Sequence, residues 1–200
     1  MVNAAVQKPA ENAPDQTLKT EILRALGSRS LVLVGMMGAG KSSIGRRLAT
    51  RLGLTFADAD TEIETAAGMT IPEIFEKHGE PYFRAGEARV IARLLDHGPQ
   101  VLATGGGAVM DAHTRELIGE KGISVWLNAD LDVLLKRTKR RNDRPLVEKI
   151  KELMPLREPF YAQSKIVVHS RDEPHDTIVD EIIGALRKHV GLAAGKGEQS

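Results

Sequence analysis

Gly35-Met36-Met37-Gly38-Ala39-Gly40-Lys41-Ser42 holds glycines, a lysine and a hydroxyl at the spacing that phosphate binding requires. Glycines let backbone N–H groups turn inward and ring a phosphate. A helix that follows directs its positive N-terminus at the same group. Gly38, Ala39, Gly40, Ser42 and Ser43 would form that cradle. Lys41 would reach the outer phosphates, and the Ser42 hydroxyl would hold Mg²⁺. The apolar run Leu31–Val34 and the helical pattern from Ile44 to Leu52 supply the strand and helix on either side. Nucleoside triphosphate binding is therefore expected in preference to a plain glycine-rich turn.

Other segments carry chemistry at the ends of expected strands. Asp58-Ala59-Asp60 closes the second strand, where ligands bind in open α/β sheets. Strand alternation would point both carboxylates to one side. One could support Mg²⁺ through water while the other orients or deprotonates a hydroxyl. The competing assignment is helix capping, because Asp60 directly precedes Thr61-Glu62-Ile63-Glu64. Arg84 and Glu87, at i and i+3 of a helix, face the same way, which alone suits an ordinary surface ion pair. Thr104-Gly105-Gly106-Gly107-Ala108-Val109 follows the third strand, with three glycines where backbone must approach something closely.

Six cations between Lys136 and Arg144 suit an arginine lid closing over transferring phosphate. Without interleaved aromatics they fit a single-stranded nucleic-acid site poorly. In Arg157-Glu158-Pro159-Phe160-Tyr161 an arginine stands just before a proline expected to start a helix, where its guanidinium could fork onto a carboxylate. The histidines are scattered, with no pair at metal-ligand spacing. Trp126 ends an apolar strand and is expected in the core.

The elements that must position these groups alternate. Leu18, Ile22, Leu23 and Leu26 lie on one helical face that Gly27 ends. Strands are expected at residues 31–34, 54–57, 101–103, 123–127 and 166–168. Helices are expected at 42–52, 113–121, 131–141 and 177–190, with helical patterns from Thr61 to about Asp96 broken near Gly68 and Gly79. Pro155 is expected to interrupt the helix that precedes Arg157. Such alternation implies a parallel sheet covered on both faces.

Two hundred residues with 42% hydrophobic content suit one α/β domain. A net charge of +1 creates no whole-chain field for nucleic acid or membrane. Cysteine is absent, which excludes disulfides and fits a reducing compartment. No apolar run approaches the ~20 residues of a membrane span. The first residues have neither the apolar stretch of a secretory signal nor the acid-poor composition of a transit peptide. A cytoplasmic protein is expected, with no nucleic acid and no membrane as partner.

Taken together and in this order, these segments resemble shikimate kinase, from about Ser30 to about Ala185. The most specific part is Arg84-x-x-Glu87, then Ile91, then Val101-Leu102-Ala103-Thr104-Gly105-Gly106-Gly107-Ala108-Val109. The resemblance implies an α/β, three-layer P-loop kinase fold: a five-stranded parallel sheet in the order 2-3-1-4-5, flanked by helices, with a mobile lid and a helical substrate-binding lobe. The kinase domain is expected at 17–190, with the lobe near 60–96 and the lid near 139–156; composition alone, Ala-, Asn-, Gln- and Pro-rich at 1–16 and Gly- and Ala-rich from Gly191, marks a disordered arm at 1–16 and a flexible tail at 191–200.

The resemblance also implies roles. Lys41 and Ser42 serve ATP and Mg²⁺. Asp58 supports the metal through water, and Asp60 binds the shikimate hydroxyl as the base. Arg84 and Arg157 grip the shikimate carboxylate, and Gly105, Gly106 and Gly107 line the substrate. The lid Arg144 contacts phosphate, Arg137 stacks on adenine, and Ser170 to Pro174, with Arg171, form the adenine loop. ATP and shikimate are the expected small-molecule partners of a monomer. Two features depart from the family pattern: the segment between Arg144 and Arg157 is shorter than usual, and the extension before Ser30 is longer. The rivals are a gluconate kinase of the same fold, which has no reason to carry both Arg84 and the glycine triplet, and a GTP-dependent switch. The switch would need a guanine-reading Asn-Lys-x-Asp, and none occurs.

Overall fold

β1 (Ser30–Val34) is buried along its whole length, and it occupies the centre of a parallel sheet. The computed structural model describes residues 13–139 and 144–192. β1 pairs with β3 (Gln100–Ala103) on one side and β4 (Gly122–Asn128) on the other. β2 (Thr55–Asp58) and β5 (Ile166–His169) are the edges, giving the order β2-β3-β1-β4-β5. β1 and β3 are buried throughout, as interior parallel strands covered on both faces are, whereas the edge strands β2 and β5 are only partly buried. The five strands and their order match the expectation. No helix among the described residues is long and apolar enough to cross a membrane.

α2 (Lys41–Leu52) buries Ile44, Leu48, Ala49 and Leu52, a stripe at helical spacing, and Gly53 ends it in the left-handed region at φ 67°. α1 (Ala13–Leu26) buries Ile22 and Leu26 completely. Each such side chain contributes about 1.5–3 kcal/mol. This helix starts at Ala13, inside the segment expected to be an arm; residues 1–12 lie outside the described residues.

α3 (Ala59–Ala67) and α4 (Ile71–Asp96) form the helical lobe beside β2. Thr70 and Glu73 make a reciprocal capping box at the start of α4. Both expected breaks occur: Gly68 caps α3 at φ 62°, and Gly79 adopts a non-helical φ 79°, ψ 172° within α4. α5 (Ala112–Lys121), α6 (Leu131–Lys139) and α8 (His175–His189) follow their expected positions closely.

α7 (Arg144–Tyr161) corrects two expectations. Pro155 does not interrupt it, and Pro159 does not start a new helix; both lie inside it. A helix-interior proline costs about 3 kcal/mol or more. Tertiary packing outweighs that here, because Ile150, Arg157 and Tyr161 fall on one helical face and are all buried. Residues 140–143 of the expected lid lie outside the described residues; 144–156 are the first part of α7.

Candidate functional site

The carboxyl ends of β1, β2 and β3 open into a cleft of about 600 Å³, within the usual size range of ligand sites. The loop between β1 and α2 forms one wall. Gly38 and Gly40 sit at φ 82° and 97°, which only glycine adopts freely. Gly40 offers no side-chain cap to α2, so the helix's first N–H groups remain available to an anion. Half-buried Lys41 donates through Nζ to the carbonyls of Gly35 at 2.7 Å and Met36 at 2.9 Å. Burial lowers its pKa to about 8, against the opposing pull of Asp60 and Asp58, with Arg157 lowering it further. Ser43 lies beside Ser42 on the cleft wall.

Ser42 Oγ donates to Asp58 Oδ2 at 2.6 Å, and Asp58 Oδ1 accepts from the Asp60 backbone N–H at 3.2 Å. The two acids converge, but not by strand alternation. β2 ends at Asp58, which is the N-cap of α3, and Asp60 lies in the first turn of that helix. The capping residue is Asp58, not Asp60. Burial raises the Asp60 pKa first, Asp58 and Glu64 push it the same way, and Lys41 and Arg84 oppose the shift. A carboxylate held above its ordinary range is a stronger proton acceptor near neutral pH.

The opposite wall is built from three separate elements. Arg84 in α4 donates to Glu87 Oε2 at 2.6 Å and to Glu80 Oε1 at 3.1 Å through Nη2. Glu87 is 3% exposed, so this is no surface pair. Its other oxygen, Oε1, has no hydrogen-bond partner among the described residues. Burial raises the Glu87 pKa, with Arg84 opposing and Asp60 adding to the rise.

The glycine triplet after β3 fits between these groups. A Cβ at Gly105 would stand 2.6 Å from Glu87 Oε1 and 3.0 Å from Asp60 Oδ1, and one at Gly107 would stand 2.6 Å from Arg84 Nη1. Any side chain at either position would have to displace the carboxylate or guanidinium from its place, so close approach, more than backbone freedom, favours glycine at both. Gly106 packs against buried Arg157 of α7: a Cβ there would lie 3.2 Å from its Nη1. Tyr161, one turn further on, donates its hydroxyl to the Gly106 carbonyl and contacts Met36 Sδ at 3.6 Å. Burial pushes the Tyr161 pKa up to about 12, so the phenol stays a donor. One helix thus ties the glycine triplet to the phosphate loop.

At the far end of the cleft, Arg137 Nη1 donates to the carbonyls of Gly38 and Ala39, each at 3.3 Å, and to Ser170 Oγ at 3.1 Å. Its Nη2 donates to the Arg171 carbonyl at 2.7 Å. Ser170 Oγ in turn donates to the Ala39 carbonyl at 2.8 Å, and Pro174 is the N-cap of α8. The loop after β5 is thereby pinned to the phosphate loop. Asp172 and Glu173, inside the expected Ser170–Pro174 loop, line the same end, and so does His175, which was not expected there. The side chain of Arg144 lies outside the described residues. Trp126 is buried at 8% exposure, as a core residue should be.

Sequence reasoning paired Arg84 with Glu87 but had no signal for the burial of Glu87. Tyr161 was visible only as a neighbour of Arg157, with nothing to indicate its contact with Gly106.

The family profile described as shikimate kinase matches residues 37–187. A shikimate kinase of Bradyrhizobium diazoefficiens is 58% identical over 188 residues, spanning 91% of this chain and 89% of that protein. The structure of a shikimate kinase from Acinetobacter baumannii, in complex with shikimate, superimposes with a TM-score of 0.77 at 36% identity, covering 84% of this chain and 97% of the other. A gluconokinase from Sinorhizobium meliloti superimposes with a TM-score of 0.58 at 20% identity, covering 82% and 94%, which is a likeness of fold alone.

Proposed function

The chain belongs to the shikimate kinase family, and from that premise we propose how its residues divide the work of the family's reaction. That reaction moves the γ-phosphoryl group of ATP to the 3-hydroxyl of shikimate, giving shikimate 3-phosphate and ADP. The observation that carries the residue assignment is the packing of Arg84 and Arg157 against the glycine triplet, beside the cleft that Lys41, Asp60 and Gly106 line.

Arg84 and Arg157 clamp the shikimate carboxylate. Glu87 holds the first guanidinium from a buried position, and α7 holds the second. Gly105, Gly106 and Gly107 let the ring approach the backbone. Asp60 accepts the hydroxyl proton as the oxygen attacks the γ-phosphorus, and the bond to the β,γ-bridging oxygen breaks with its electron pair leaving on ADP. Lys41 exchanges its two loop carbonyls for phosphate oxygens. The cradle of Gly38, Ala39, Gly40, Ser42 and Ser43 binds phosphate through backbone N–H groups. Arg137 lies against adenine, with Ser170, Arg171 and Pro174 forming the base pocket. Arg144 closes over phosphate and excludes the water that would otherwise hydrolyse ATP.

Ser42 and Asp58 fit Mg²⁺: both present hard oxygen donors 2.6 Å apart, and no group of three His, Cys, Asp or Glu among the described residues forms a protein-only cage. Ser42 would hold the ion directly and Asp58 through water; when bound, Mg²⁺ neutralises charge on the phosphates. We further take the enzyme to act as a monomer in the cytoplasm.

The test is an ADP-release assay over hydroxylated carboxylic acids, including shikimate, its carboxamide and gluconate. Shikimate should be turned over with the highest kcat/KM, and the carboxamide poorly. Equal turnover of shikimate and its carboxamide would overturn the arginine clamp.

A further inference from the structure

A second cavity, of about 250 Å³, opens between α3 and α4, away from the cleft. Helical spacing sets its lining residues Tyr82, Gly86, Arg89 and Arg93 on the face of α4 opposite Arg84 and Glu87. Its floor is apolar: Ile63, Ile74, Phe83 and Val90 are all buried. Its rim is cationic. Arg93 is engaged by Glu62 at 3.0 Å, whereas exposed Arg89 makes no ion pair or hydrogen bond among the described residues.

Gly86 is the unexpected member of this lining. It lies within α4, away from the one non-helical residue at Gly79, and a Cβ built on it meets nothing within 4 Å. Glycine destabilises a helix interior relative to alanine. Neither backbone conformation nor packing demands it here. Its effect is to leave open the volume that a methyl group would take from the cavity.

We propose that this groove is a second binding site, for a small monocarboxylate with an apolar body. The body rests on the floor beside Tyr82, and the carboxylate meets the Arg89 guanidinium. A single unengaged guanidinium matches a single carboxylate, and Glu62 at the rim disfavours a second negative charge. Shikimate itself is excluded, because its hydroxyls would meet an apolar floor without partners. The inference does not depend on the assignment of the cleft.

The experiment is an NMR titration of ¹⁵N-labelled protein with 3-phenylpropanoate, run with saturating shikimate so that the cleft is blocked. Saturable shifts should appear at residues 63–67 and at Tyr82, Gly86, Arg89 and Arg93. The neutral 3-phenylpropanamide should bind about fivefold more weakly or worse, and Arg89→Ala should remove that difference by weakening the acid alone. Gly86→Ala should weaken acid and amide alike, by about fivefold or more, while raising Tm. Raised Tm shows that the loss of binding is not a loss of fold. Equal affinity of acid and amide, unchanged binding by Gly86→Ala, no saturable shifts, or shifts confined to Lys41, Arg84 and Gly105–Gly107 and abolished by shikimate would each overturn the proposal.

Discussion

The two walls of the cleft are built on opposite plans. The nucleotide wall comes mainly from one run of chain, Gly35–Ser43, whose glycine conformations and helix N-terminus follow from local sequence. The acceptor wall is assembled from α4, the loop after β3 and α7, with Arg84, Gly107 and Arg157 far apart in sequence. A contiguous site announces itself as a motif. A distributed one depends on packing, and its polar groups need buried support such as Glu87 and Tyr161. Substitutions should therefore separate cleanly: changes in the first wall should act on transfer and ATP, and changes in the second on the acceptor.

The largest effect belongs to the first wall. Lys41→Ala should lower kcat by about 1000-fold or more at saturating ATP, with the fold intact by circular dichroism. Turnover within about threefold of the parent would remove the phosphate-loop assignment. Asp60→Asn keeps shape but removes the proton acceptor, and kcat should fall by about 100-fold. Raising Mg²⁺ should not restore it, whereas the loss in Asp58→Asn should be partly recovered. The opposite pattern would mean that the two acids have exchanged roles.

The second wall should respond in KM. Arg84→Ala and Arg157→Ala should each raise KM for shikimate by about 30-fold or more, with KM for ATP little changed. The double variant should cost less than the two singles combined, because both guanidiniums grip one carboxylate. A fall in ATP affinity with shikimate KM unmoved would transfer these arginines to the nucleotide wall. Glu87→Gln tests the support behind the clamp. It should raise KM for shikimate by about tenfold, a smaller effect than losing Arg84 itself.

The smallest and most graded effect is with pH. Burial lowers the Lys41 pKa to about 8, well below its ordinary value. The lysine is charged below that pH, so kcat/KM for ATP should decline as pH rises through about 8. Lys41→Arg, weakly active but always charged, should lack this decline. Stability should show the reverse sign. Between about 8 and 10.5 the unfolded chain holds the Lys41 proton that the folded protein has lost, so this group's contribution rises with pH there. Glu87 and Asp60, both raised by burial, act oppositely: folded protein holds their protons longer, so stability falls as pH climbs from their ordinary range toward their folded pKa values. Thermal melts of Lys41→Met and Glu87→Gln across pH should resolve the two signs.

How legible each part was follows from the range of the forces involved. Strand and helix positions could be read because apolar periodicity is local, and the breaks at Gly68 and Gly79 because φ is set within a residue. α7 was misread at Pro155 and Pro159 for the converse reason. Proline's cost is local, but the burial of Ile150, Arg157 and Tyr161 that outweighs it is tertiary. Asp58 and Asp60 were read as strand neighbours, since nothing in their spacing says that the strand ends at the first acid and that its side chain turns the chain into α3.

By itself, then, the amino-acid sequence determined the parallel α/β architecture, the phosphate loop and the residue types able to hold a carboxylate. Those properties depend on periodicity, backbone freedom and side-chain chemistry, which act over a few residues. Tertiary structure alone decided that Glu87 is buried behind Arg84, that Gly105 and Gly107 leave room for carboxylate and guanidinium, and that Tyr161 locks the glycine triplet to α7. Burial and close approach are relations between distant segments, and they exist only once the sheet has brought β1, β3 and the flanking helices together.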